Sequence, residues 1–407
     1  HPRMSTTIQA LSPEAGRADT AALRAYDADA LARCAADTGQ PWWRRRACAE
    51  ALTGRVPERR LAELISRVQD TGDVSEVRIA LLGVLAERPE LQPWLRHEER
   101  QRDGGYGMPE AILRARGAVG DRTAASALAT LAFSPWRHRR ETGEAGLDDL
   151  AARYGVEAVL AELGDARPED RSVRVVMRQR AGEDVTDALA DPDRGVAYRA
   201  QALLTDPGHL RAYLAEAPTD EAKLWAAYAL HRLTEDVAET RRVYEALGRP
   251  RVEVAGLDEE LRAAIVHEYG PWCEERSDPR WRIEALCTEP PPAADPAERL
   301  VRATAALTAA GLAPKPPVSC GDAHGQGDGT YDVIGYGEDD GEVHLSTLGR
   351  FAAGHDDEPA VRHALESAGF RWIDGAVGSI EVTGLGVYYF GARVPLDVRT
   401  LLFYWQD

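Results

Sequence analysis

From about residue 8 to residue 311, apolar side chains recur three and four positions apart, and Gly, Pro or Asp breaks the pattern about every fifteen residues. That rhythm predicts one short amphipathic helix after another. "SEVRIALLGVLAERPEL" puts Val77, Leu81, Val84 and Leu85 on one face, with Pro89 beyond its end. "TDEAKLWAAYALHRLTED" predicts a second helix, N-capped by Thr219, with Leu224, Ala227, Tyr228 and Leu230 inward. "AERLVRATAALTAAGL" closes the helical region, with Gly311 at its end. Nothing ahead of residue 318 alternates strongly enough to predict a strand.

Past the proline-rich "APKPPVS" (313–319) the period changes from helical to two. "YDVIGY" and "EVHLSTL" predict strands around the turn "GEDDG", and "DEPAVRHALESAG", from Asp357, predicts a helix. "FRWI", "GSIEVTG", "GVYYFGAR" and "VRTLLFYW" predict further strands. The expected organisation is a helical region over 4–312, a Pro/Gly-rich linker and entry loop over 313–330, and a small α+β domain over 331–407.

The helical segments echo one another. Pro-Trp opens segments at 41, 93, 135 and 271, and an apolar–Arg pair follows an acidic turn in "DVSEVRIALL", "EDRSVRVVM", "DPDRGVAYRAQALL" and "SDPRWRIEAL". "DPDRGVAYRAQALL" resembles the second helix of HEAT repeats, in particular the short HEAT-like repeats of the phycobilisome-lyase type. The resemblance implies a right-handed α-solenoid of about six to eight helical pairs. It also implies an acidic turn residue pairing with an early arginine, positions matched by Asp191 with Arg199, Asp278 with Arg282, and Asp73 with Arg78. Such arrays mostly bind other macromolecules. The fold class expected is therefore mainly α, a HEAT-like solenoid followed by a small α+β domain.

Charge narrows the partners. The chain carries −18 overall, of which residues 318–407 hold −10, so a sequence-independent grip on nucleic acid or anionic lipid is not expected. The longest apolar run, "IALLGVLA" at 79–86, is far short of the ~20 residues a membrane helix needs. No charged-then-apolar leader pattern opens the chain, and the three residues ahead of Met4 are left out of fold reasoning. Five cysteines make no disulfide framework; Cys34, Cys48, Cys273 and Cys287 sit in helical patterns as free thiols, which suggests a reducing cytoplasm.

Three places hold candidate chemistry. The loop "SCGDAHGQGD" gathers Cys320, Asp322, His324 and Asp328 among glycines. It could serve a thiol- or metal-dependent hydrolase or transferase, but no fourth ligand or known spacing is present, and an inter-domain entry loop is the plainer reading. The glycine-interrupted "RQRDGGYGMPE" places Tyr106 in a disordered repeat junction, the plainer reading, or in a mobile loop over one face. Two basic helix starts, "WWRRR" (Trp42, Arg45, Arg46) and "WRHRR" (Trp136, Arg137, Arg139, Arg140), offer positive, aromatic patches for an acidic partner. On a helical wheel Arg44 falls within the buried stripe, while Arg45 and Arg46 fall outside it.

The tryptophans also invite comparison with HEAT-like alkylpurine DNA glycosylases, whose groove is basic and tryptophan-lined. Trp42, Trp43, Trp136, Trp225, Trp272 and Trp281 invite that reading. Most stand at helix starts or within buried stripes, where core packing is the simpler role, and the acidic balance opposes DNA. The expectation is a non-enzymatic scaffold or adaptor for a protein or peptide, with no cofactor, no metal and no membrane. The alternative is an enzyme, either at the 320–328 loop or of the glycosylase kind.

Overall fold

The computed structural model describes residues 7–355 and 358–407, so the expected starts at Met4 and Asp357 lie outside the described residues. The chain is mainly helical and ends in a small sheet region. No strand precedes Val318 among the described residues, and no helix there is long and apolar enough to cross a membrane. A first compact unit extends to Ala181 and a second runs from Gly182 to Asp407.

The punctuating aspartates are helix caps. Asp27, Asp206, Asp236 and Asp295 each accept a backbone N–H from the first turn that follows, and Thr219 caps Asp220–Thr234 through the amide of Ala222 at 3.1 Å. These side chains satisfy donors that a helix start otherwise leaves open.

In the first unit, helices Ala28–Ala36 and Trp42–Ala51 pack together, as do Leu61–Gln69 and Ser75–Leu85, around a core of Leu31, Leu52, Leu64 and Leu81. Buried arginines tie these elements. Arg45 donates Nε to the carbonyl of Ala35 at 2.9 Å and both terminal nitrogens to Asp73 at 2.7 Å. Arg78 repeats the arrangement, reaching Val68 at 2.9 Å and Asp103 at 3.0 and 2.7 Å. Each guanidinium thus closes a carbonyl at the C-terminal end of the helix behind it, where the helix dipole favours a cation. Each then reaches forward past an intervening helix to an aspartate, Asp73 ahead of Ser75–Leu85 and Asp103 ahead of Met108–Ala118.

Two expectations are corrected here. Arg45 is 2% exposed, so it is no partner-binding residue; Arg44 is only half-buried and bonds Ser12 and Gln40. The buried stripe is Arg45, Cys48, Ala49 and Ala51, because a carbonyl and a carboxylate on the inside satisfy the guanidinium. Likewise Asp73 pairs with Arg45 and not Arg78, while Asp278 bonds Arg194 and Arg280 and Arg282 serves the carbonyls of Cys273 and Glu274.

The second unit is built on a sheet with two covered faces. Strands β1 (Val318–Ser319), β2 (Asp328–Gly329), β3 (Tyr331–Tyr336), β4 (Gly341–Ser346), β5 (Phe351–Ala353), β6 (Arg371–Trp372), β7 (Glu381–Tyr389), β8 (Ala392–Asp397) and β9 (Trp405–Gln406) form three sheets. The largest runs β1-β3-β4-β5-β6, antiparallel except for β5–β6, which helix Pro359–Ser367 connects in sequence. β7 and β8 make a hairpin, and β2 pairs with β9.

Alternation along β3 sorts its side chains. Ile334 and Tyr336, with Val343 and Leu345 of β4, pack on helices Pro296–Ala309 and Pro359–Ser367. Tyr331, Val333 and Phe351 share the other core with Leu261, Ile265 and Trp281 of helices Glu259–Tyr269 and Pro279–Cys287, and with Val382 and Leu385 of β7. The helices over 259–309, read in the sequence as part of the array, are therefore the covering layers of this sheet. Residues 313–319, read as linker, are hydrogen-bonded into it: Lys315 donates to Gly335 at 2.7 Å and Val318 registers with Val333. "VRTLLFYW" is a helix, Val398–Leu402, followed by the short β9, because Val398, Leu401 and Leu402 all turn into the core.

Candidate functional site

The first unit holds a groove of about 660 Å³. It is assembled by three helices and one loop. Ile79 comes from Ser75–Leu85, Ala111 and Arg114 from Met108–Ala118, and His138, Arg139 and Thr142 from Arg137–Tyr154, whose N-cap is Trp136.

The loop is anchored, contrary to a disordered or a mobile reading. Asp103 is gripped by Arg78 and accepts the amide of Gly105 at 2.9 Å. Gly107 then takes φ +75°, which a side chain adopts only with strain, and opens the helix. Between these fixed points Tyr106 projects outward, 89% exposed, at the lip of the groove.

The charged groups around the groove are arranged in surface pairs. Arg139 lies 3.2 Å from Glu110, Arg114 pairs with Asp149, and Arg137 pairs with Glu141 at 2.7 Å. Arg140 donates to the carbonyls of Pro135 and Ser134. Exposed pairs of this kind are worth at most about 1 kcal/mol each, so a partner's carboxylate can exchange with them. The lining joins the apolar side chains of Ile79 and Ala111 to the rings of Tyr106 and Trp136 and the guanidinium groups of Arg114 and Arg139, and the Thr142 hydroxyl donates to the backbone carbonyl of His138 at 2.9 Å.

Of the residues singled out in the sequence, Tyr106, Trp136 and Arg139 meet at this groove, and Arg137 and Arg140 flank it on the same helix. Trp42 and Arg46 do not line it: Trp42 packs edge-on against Trp43 at 6.0 Å, and Arg46 pairs with Glu50. Ile79 and Thr142 are lining residues that sequence reading missed, since nothing local marks them.

The 320–328 loop is also built, but as packing. Cys320 begins a short helix, Cys320–His324, and is 1% exposed; burial pushes its thiol above the ordinary range. His324 bonds the Tyr331 hydroxyl at 3.0 Å and stacks on Trp405 at 3.9 Å, while Asp322 stands exposed. Cys320, Asp322 and His324 do not converge, and no three His, Cys, Asp or Glu side chains among the described residues are grouped to hold a metal.

Three of the glycines of this loop, Gly321, Gly327 and Gly329, answer to close approach. A Cβ on Gly329 would collide with the Tyr404 carbonyl and come within 2.9 Å of Cys320 Sγ. Gly329→Ala is therefore expected to cost the second unit about 1–3 kcal/mol. The readout is its urea midpoint; an unchanged midpoint would show that the loop moves freely after all.

The tryptophans Trp225 and Trp281 are fully buried and cannot line a groove. The chain matches no family model, no curated protein and no solved structure.

Proposed function

We propose that this chain is a non-enzymatic scaffold or adaptor of the HEAT-like helical-repeat kind, which binds a protein or peptide partner through the groove of the first unit. The observation that carries the reading is Tyr106, an almost fully exposed aromatic held by a gripped loop at a groove that Trp136 and Ile79 also line. Aromatic and arginine side chains around a desolvated pocket are what binding hot spots are made of. The arginines at the rim, in a chain of net charge −18, favour a partner with an apolar anchor flanked by acidic groups. The repeated tie of a buried arginine to the carbonyl behind and the aspartate ahead supports the helical-repeat reading.

The test uses peptides selected from a displayed library against the full chain. Tyr106→Ala removes an exposed ring and should leave the melting temperature unchanged while weakening these peptides at least about tenfold. Arg139→Glu should weaken acidic peptides further and flatten their salt dependence. Selected peptides that bind both variants as tightly as the parent would remove the groove as the binding surface.

A further inference from the structure

The second unit holds a cavity of about 470 Å³. One stripe of helix Glu259–Tyr269 lines it: Glu259, Arg262 and Val266 recur at three and four positions, with His267 beside them. Tyr244, from helix Val237–Ala246, and Glu284, from helix Pro279–Cys287, line it as well. Arg249 and Arg251 join them from the segment between Val237–Ala246 and Glu259–Tyr269.

Arg262 is 2% exposed and donates Nε and Nη2 to the two oxygens of Glu284, each at 2.8 Å. Its guanidinium carbon also lies 4.7 Å from the centre of the Trp281 ring, so its position is fixed. Arg45 and Arg78 differ, because each uses all three guanidinium nitrogens on a carbonyl and an aspartate. The Nη1 of Arg262 bonds nothing among the described residues and yet is not sealed in the interior, so it opens on the cavity. A charged donor held in place without an acceptor is completed by a bound anion.

A second cation is brought to the cavity by backbone strain. Arg249 takes φ +56°, a left-handed conformation that an arginine adopts only at a cost. Its amide donates to the Tyr244 carbonyl at 2.9 Å, and its guanidinium carbon stands 5.8 Å from the Tyr244 ring centre. Its ionic contact is a long one, 3.7 Å to the exposed Glu245, whereas Arg251 is committed to Glu253 and Glu259 at 3.2 and 2.8 Å. The Thr288 hydroxyl gives its proton to the Glu284 carbonyl at 2.6 Å, so at 3.0 Å it accepts from His267 Nε2. Burial holds His267 below its usual range, and it adds no charge at neutral pH.

We propose that this cavity is a binding site for a small monocarboxylate with an apolar body. Arg262 Nη1 donates to the carboxylate, Arg249 is the second cation, and the body lies against the Tyr244 ring and Val266. Glu259, Glu284 and Glu289 balance the three arginines of the lining, so the cavity suits one negative charge and not several. Its volume encloses a small organic molecule and exceeds what a bare ion needs. The site belongs to the second unit and does not rest on the peptide-binding reading of the first.

The experiment titrates benzoate into the full chain by calorimetry, with benzamide as its uncharged match and inorganic phosphate as a bare anion. Benzoate should saturate a single site with a Kd of about 1 mM or tighter, and benzamide should bind at least about tenfold more weakly. Arg249→Gly removes the cation and relieves the strained backbone. Its melting temperature should equal or exceed the parent's while benzoate binding weakens at least about fivefold, a separation that a merely structural arginine would not give. Arg262→Gln with Glu284→Gln removes the buried pair without stranding a charge, and should abolish binding. If that variant fails to fold, the parent and Arg249→Gly still decide. Benzamide binding as tightly as benzoate, phosphate binding more tightly than either, or benzoate binding unchanged in Arg249→Gly would each overturn the proposal. So would a failure of benzoate, phenylacetate and 3-methylbutanoate all to saturate at about 20 mM.

Discussion

Arg78→Ala is expected to cost the first unit about 3–5 kcal/mol, the range seen when one partner of a buried ion pair is removed. Arg78 is 0% exposed and its partner Asp103 is nearly so, so the variant leaves a carboxylate sealed without a counterion and the Val68 carbonyl without its donor. For a unit of this size the loss corresponds to a fall in melting temperature of roughly 6–20 °C. Asp103→Ala should do comparable harm. The double variant Arg78→Met with Asp103→Leu should recover much of it, because an apolar pair leaves no charge behind. Arg137→Ala is the contrast: Arg137 is 84% exposed, its pair with Glu141 lies on the surface, and its loss should stay within about 0.5 kcal/mol. Thermal melts of the four variants decide the matter, and an Arg78→Ala protein within about 1 kcal/mol of the parent would show the pair to be dispensable.

The same pairs give the unit an acid dependence of definite sign. Hydrogen bonds from Arg78 hold Asp103 below the usual carboxylate range despite its burial. Asp73, which burial alone would raise, is brought below that range by Arg45 and the amide of Val74. A carboxyl lower in the folded than in the unfolded chain contributes fully above its unfolded value of about 4, and loses that contribution as pH falls through the folded one. Stability should therefore drop on acidification below about pH 4, and drop less steeply in the Met–Leu double variant.

A chain ending at Leu312 is expected to lose the fold of its second unit while keeping that of its first. Helices Glu259–Tyr269 and Pro279–Cys287 pack Leu261, Ile265 and Trp281 against side chains contributed from beyond residue 330. Uncovering those three alone costs about 5–8 kcal/mol, which is comparable to the whole stability of a domain. Specific bonds go as well: the Trp281 indole donates to Thr383 at 3.1 Å, and Glu274 and Asp278 donate amides to Gly386 and Gly384 at 2.8 Å. Amide exchange should find 259–287 unprotected in the truncated chain, with protection retained before Ala181. Equal protection of 259–287 in both chains would mean that these helices stand without the sheet.

How much of this was legible in the sequence depends on whether the cause was local. Thr219 was read as a cap because capping is settled within four residues, and the lack of strands before 318 followed from periodicity alone. Tyr106 and the basic start at 136–140 were found because Gly, Trp and Arg are conspicuous there; that they face one groove was not visible, since helix packing brings them together. Arg45 was misplaced because a wheel treats charge as a sign of solvent, whereas its partners stand 10 residues before it and 28 after. Helix Pro296–Ala309 shows the same limit. Its stripe announces a buried face but not what covers it, which proved to be β3 and β4. "LLFYW" misled for another reason, since a short apolar run fits a helix end as well as a strand.

The forward reach of the buried arginines also restricts how a chain of this kind can change in length. Arg45 is completed by Asp73 and Arg78 by Asp103. Duplicating the stretch from one such arginine to the next adds one guanidinium and one carboxylate together, and every sealed charge still finds its opposite. Deleting the single helix Ser75–Leu85 removes Arg78 and strands Asp103 in the interior, at a cost of several kcal/mol. Adding or losing an arginine together with its own aspartate keeps the charges matched.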